Sequence, residues 1–211
     1  MLTAIAAVGT AMALVTSPAP VEQSDVPPPG KIVIDVLTVN GSGCRAGSAA
    51  VAPAPDNTAF TVTYSEYTAV AGGNSDPTDF RKNCQISMLV HIPQGFTYAV
   101  SKADYRGFAH LASGATGLQK ASYYVQGVSE TSSVSHPLTG PYSDNWQTTD
   151  EKDEAKLVYA PCGEDTVFNV NTELRVNAGL AHPDQTSFVT MDSTDGSVRS
   201  TYHFEWKQCA S

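Results

Sequence analysis

The residues with the clearest chemistry are the four cysteines, Cys44, Cys84, Cys162 and Cys209. None is spaced C-x-x-C, so a zinc site or a thioredoxin-like centre has no support and disulfide formation is the expected use. Four cysteines allow three pairings; neighbour pairing, Cys44 with Cys84 and Cys162 with Cys209, is the expected one. Each bridge would close a loop of about 40 to 50 residues and stabilise the fold by about 4 kcal/mol in the chain-entropy account. Other reactive groupings are sparse. There is no G-x-S-x-G elbow and no H-E-x-x-H, and the five histidines (His91, His110, His136, His182, His203) never fall at ligand spacing. The acids Asp150, Glu151, Asp153 and Glu154 lack the pattern of a calcium loop and read as a solvated face. His203, Glu205 and Lys207 share one side of an extended segment and read the same way. No metal, no cofactor and no catalytic residue is expected.

Residues that could bind rather than react fall in two places. Asp104, Tyr105 and Arg106 form a short charged and aromatic cluster, with Asp104 and Arg106 on one side of an extended chain. Tyr142 and Trp146 lie among turn formers between Thr131 and Asp150, where rigid aromatics on a long loop are candidate binding anchors, although such a Trp more often folds back onto the core.

The elements that must position these residues are strands. Cys84, Ile86, Met88, Val90 and Ile92 alternate along the most apolar run of the chain, and Phe96, Tyr98 and Val100 resume the alternation after Pro93-Gln94-Gly95, which predicts a hairpin. Further alternating runs occupy Ile32 to Val39, Phe60 to Tyr64, Ala121 to Val125, Phe168 to Val176 and Tyr202 to Trp206, and Asp192 to Gly196 reads as a turn before the last of them. Thr148 and Glu151 are spaced like a capping box, so Asp150 to Lys156 is the one place for a helical turn or two. Eight to ten short strands with almost no helix predict an all-β fold, an antiparallel two-sheet sandwich, with a closed barrel as the alternative.

Composition places that domain outside the cell. Only 16% of residues are charged, against about 25% in an average soluble chain. An apolar run from Leu2 to Val15 with small residues after it has the build of a secretory signal over residues 1–19, with cleavage after Ala13 or near Ala19. A proline-rich linker over 20–30, expected to be extended and mobile, then leads into a single domain over 31–211. The net charge of -9 disfavours nucleic acid and anionic membrane surfaces as partners, and no stretch beyond the signal could insert in a bilayer.

Gly41-Ser42-Gly43-Cys44, Arg81-Lys82-Asn83-Cys84-Gln85, Asp104-Tyr105-Arg106-Gly107, Gly140-Pro141, Pro161-Cys162-Gly163 and Tyr202-His203-Phe204-Glu205-Trp206-Lys207-Gln208-Cys209 together resemble the secreted family catalogued as domain of unknown function 4360, from about Ile32 to Cys209. The resemblance implies an exported, disulfide-bonded β domain found in bacteria and fungi, and brings no catalytic residues with it. The reading that follows is a secreted, monomeric, non-catalytic protein with a binding or structural role, its ligand unidentified and an extracellular protein or polysaccharide the candidate partner. A hydrolase with an unfamiliar site and an inhibitor of a foreign protein are the alternatives.

Overall fold

A computed structural model describes residues 26–153, 156–191 and 199–209. The signal-like segment, Glu154 and the Asp192–Gly196 turn lie outside the described residues. In chain order the strands are β1 (Val33–Asn40), β2 (Ala49–Pro53), β3 (Ala59–Tyr64), β4 (Thr68–Ala71), β5 (Arg81–His91), β6 (Phe96–Leu111), β7 (Thr116–Val125), β8 (Ser132–Thr139), β9 (Tyr142–Glu151), β10 (Thr166–Asn177), β11 (Ser187–Thr190) and β12 (Ser200–Gln208). Among the described residues they form two open antiparallel sheets and no closed barrel. One has five strands in the order β1-β5-β10-β7-β8; the other has seven, in the order β2-β3-β12-β6-β11-β4 with β9 added alongside β6.

β6 organises the larger sheet. Its 16 residues are long enough to take two partners on one side, β12 along the first half and β11 near the end, while β9 runs along the other side from Lys102 to Leu111. Alternation then fixes two faces. Ala103, Tyr105, Ala109 and Leu111 enter the core, and Asp104, Arg106, Phe108 and His110 take the opposite parity.

The core lies between the sheets. Ile86, Met88, Val170, Leu174 and Val176 from the smaller sheet meet Phe60, Tyr98, Tyr105, Tyr202, Phe204 and Trp206 from the larger. Phe60 stacks on Tyr202 at 4.8 Å, and Tyr98 meets Phe204 edge-on at 5.3 Å. Each large apolar side chain so buried contributes about 1.5 to 3 kcal/mol. Both bridges join the neighbouring cysteines, Cys44 to Cys84 and Cys162 to Cys209.

Four local expectations change. The run at β5 and the run at β6 are not a hairpin: β5 pairs with β1 and β10, β6 with β12, β9 and β11, so Pro93-Gln94-Gly95 carries the chain from one sheet to the other. Alternating apolar residues specify a buried face, and two such faces can oppose each other across a core as well as lie side by side. Tyr142 to Glu151 is strand β9 rather than loop, because polar turn formers are tolerated on its solvent face once β6 satisfies the backbone. Asp150 closes that strand with its side chain buried, so it belongs to the core edge instead of a helical turn or a solvated acidic face. The end of the proline-rich segment is tied down: Asn57 Nδ2 donates to the carbonyls of Pro28 (3.0 Å) and Gly30 (2.7 Å).

Candidate functional site

The outward row of β6 and its neighbours builds one continuous face. Cross-strand register aligns Lys102 with Glu151 and His203, Asp104 with Thr149 and Thr201, Arg106 with Gln147, Phe108 with Asn145 and Thr190, and His110 with Ser143 and Phe188. Eight residues separate Lys102 from His110, a track of about 27 Å at strand rise.

One end is aromatic. Phe188 packs beside Phe108 with centroids 5.9 Å apart and planes 30° apart, and beside His110 at 5.9 Å and 32°. Both phenyl rings are half-buried and His110 is exposed, with its Nδ1 3.1 Å from Ser143 Oγ. Gly107 makes this possible from beneath. A Cβ there would stand 2.0 Å from the Thr190 carbonyl oxygen and 2.4 Å from the Trp146 ring, so only glycine lets β11 and the indole close on β6.

The middle is a polar lattice around Asp104. Thr149 Oγ1 donates to its Oδ1 (2.6 Å), His203 Nε2 lies 2.9 Å from its Oδ2, and Lys102 Nζ is 3.6 Å away. Burial alone would raise the carboxyl, but the hydrogen bonds from Thr149 and His203 and the charge of Lys102 outweigh it and hold Asp104 below the ordinary carboxylate range. A carboxylate so occupied fixes its neighbours in place. Arg106, Gln147 and Asn145 extend exposed beyond it. At the far end an open polar depression of about 320 Å³ is lined by Ser101, Lys102, Glu151, His203 and Glu205, among others. Among the described residues no group of three or more His, Cys, Asp or Glu is placed to hold a metal ion.

The structure divides the residues singled out from sequence. Asp104 and Arg106 lie on this face, as the spacing predicted. Tyr105, between them, is 0% exposed in the core, and Trp146 is 4% exposed under Gly107. Tyr142 is half-buried and donates its hydroxyl to the Asn145 carbonyl at 2.7 Å. Neither tryptophan presents its ring to solvent, since Trp206 is also buried. Phe108, His110 and Phe188 were missed. The parity that put Asp104 and Arg106 on one side extends by two steps to Phe108 and His110, and that signal was available; Phe188 joins them only through sheet pairing.

Asp35 and Asp165 flank His91 on the other side of the molecule, 3.0 Å from Nε2 and 2.7 Å from Nδ1. Their hydrogen bonds raise the imidazole above its ordinary value. Elsewhere on the outer face of the smaller sheet Ser87 donates to Asn169 (2.7 Å) and Glu173 is held by Arg81 and Arg175.

Comparison with known proteins places the chain in a family. A secreted protein of Arthroderma benhamiae, described as uncharacterized, is 33% identical over 185 residues, covering 88% of this chain and 75% of the fungal protein. The family described as Domain of unknown function (DUF4360) matches residues 30–209, nearly the whole of the described fold. Matched over residues 30–209, this two-sheet β domain with two disulfides belongs to the DUF4360 family.

Proposed function

We propose that this is an exported, non-catalytic polymer-binding protein that grips a neutral extracellular polysaccharide along the outer row of β6. The observation that carries this reading is the Phe108–Phe188 pair on the solvent face of the larger sheet, continuous with a row of amide, hydroxyl and guanidinium groups. Sugar rings offer an apolar face of C–H groups ringed by hydroxyls. Aromatic plates take the first and planar amides take the second, as in other concave or flat ligand sites. The row mixes Lys102 and Arg106 with Asp104 and Glu151, which favours an uncharged chain over a polyanion. Export is supported by the two disulfides and the secreted relative.

Retention on insoluble cellulose, chitin and mannan tests the proposal. The wild-type protein should be held by at least one of them, and Phe108→Ala with Phe188→Ala should elute with the unbound fraction. Equal retention of both proteins would refute the assignment of this face. Intrinsic tryptophan fluorescence is a poor reporter here, because both indoles are buried away from the face.

A further inference from the structure

The open edge of the sandwich between β8 and β9 carries a second constellation, independent of the outer face. Gln119 enters the core from β7 in the smaller sheet and is 0% exposed. Thr148 enters from β9 in the larger sheet, and its Oγ1 lies 3.3 Å from Gln119 Oε1. The hydroxyl thus donates to the carboxamide oxygen, and the carboxamide carbon is one bond beyond it. Gln119 Nε2 is buried with no hydrogen-bond partner, as is Asp150 Oδ2. His136 stands directly opposite Gln119 in the β7–β8 register, and directly opposed residues have their Cβ atoms about 5 Å apart. Asp150, two residues from Thr148 on the same face of β9, takes His136 Nε2 on its Oδ1 at 2.5 Å. A hydroxyl, a buried carboxamide and a carboxylate-held imidazole thus meet where the two sheets are joined by no backbone pairing.

We propose that Thr148 and Gln119 form an intramolecular ester that cross-links the two sheets. Thr148 Oγ1 attacks Gln119 Cδ and a new C–O bond forms. The Cδ–Nε2 bond breaks, and the nitrogen leaves as ammonia, taking the proton that the hydroxyl gave up to His136. Atoms balance with one ammonia released, and no oxidant, reductant or cofactor enters. His136 carries the proton; Asp150 is a positioning residue that orients the ring. Gln119 itself is fully buried, and the reaction removes, with the ammonia, a donor that has no partner in the core.

Mass spectrometry of the full disulfide-bonded chain tests this directly. The intact mass should fall short of that calculated for the sequence with both disulfides formed by one ammonia, about 17 Da. The tryptic peptides Gly107–Lys120 and Ala121–Lys152 should appear as one joined species, released by hydroxylamine. Thr148→Ser should keep the cross-link and Thr148→Val should lose it, while His136→Gln and Asp150→Asn should slow its appearance after refolding by at least tenfold. If Thr148→Val does not fold, the wild-type peptide map still decides. Wild-type protein of full mass with the two peptides separate overturns the proposal, and so does ammonia loss without joined peptides.

Discussion

The indole nitrogen of Trp206 donates to the main-chain carbonyl of Asn57 at 2.8 Å, tying the last strand to the turn before β3. Asn57 sits at φ 60 with a buried side chain that also accepts from Ile32 N (3.2 Å) and donates to Pro28 and Gly30. Asn57→Ala should therefore cost about 2 to 4 kcal/mol, from buried backbone groups left unpaired and from a left-handed conformation that alanine resists. Asn57→Gly should recover about 1 kcal/mol of that loss. Urea midpoints at constant m-value read both numbers.

Gly107→Ala should damage stability and the outer face together. The added methyl meets a carbonyl oxygen and an indole that cannot both retreat, which costs about 1 to 3 kcal/mol or more. It also displaces β11 and with it Phe188. The expected outcome is a lowered denaturation midpoint and weakened polysaccharide retention, whereas Phe108→Ala should weaken retention while leaving most of the stability in place.

Removing either disulfide should cost about 4 kcal/mol on loop-closure grounds, because the separations of 40 and 47 residues are nearly equal. The two will not be equivalent. Cys44 and Cys84 are buried in the core, while Cys162 is exposed and Cys209 half-buried. Serine at the first pair must also place two hydroxyls among apolar groups, so Cys44→Ser with Cys84→Ser should be more destabilised than Cys162→Ser with Cys209→Ser in guanidinium titrations.

The His91 bridge should give a measurable pH step. Its folded-state imidazole is raised above the ordinary 6.5 by Asp35 and Asp165, so the charged form is favoured by folding. The stabilisation is complete below the unfolded value and is lost as pH rises through the higher folded value. Melting temperature should fall as pH rises through that window in the wild type, modestly because the ring is a third exposed. His91→Gln should flatten the step.

Much of this architecture is legible in the chain because period-two alternation marks the core-facing side of most strands. Val170 and Val176 or Tyr202 and Trp206 announce their burial without any structure. Sheet membership is another matter. The alternation at Ile86 and at Tyr98 is the same whether those strands lie side by side or face each other, and long-range pairing decides between them. The binding face shows the same division. Arg106 and Asp104 share a side by spacing alone, but Phe188 reaches Phe108 only because a four-residue strand far along the chain pairs with the end of β6. Trp146 is in the core, as such a residue more often is, but its polar neighbours read as loop where the chain forms β9, and a glycine on the adjacent strand gives its ring its place.

Titration of the wild-type protein and of Phe108→Ala with Phe188→Ala against a retained neutral polysaccharide, followed by calorimetry, tests the central claim most directly. Tyr124→Ala, on the outer face of the smaller sheet, serves as the control. The account predicts saturable binding by the wild type and by Tyr124→Ala, with at least a tenfold loss when the two phenyl rings are removed. Undiminished binding without those rings, or a loss that follows Tyr124 instead, would contradict it.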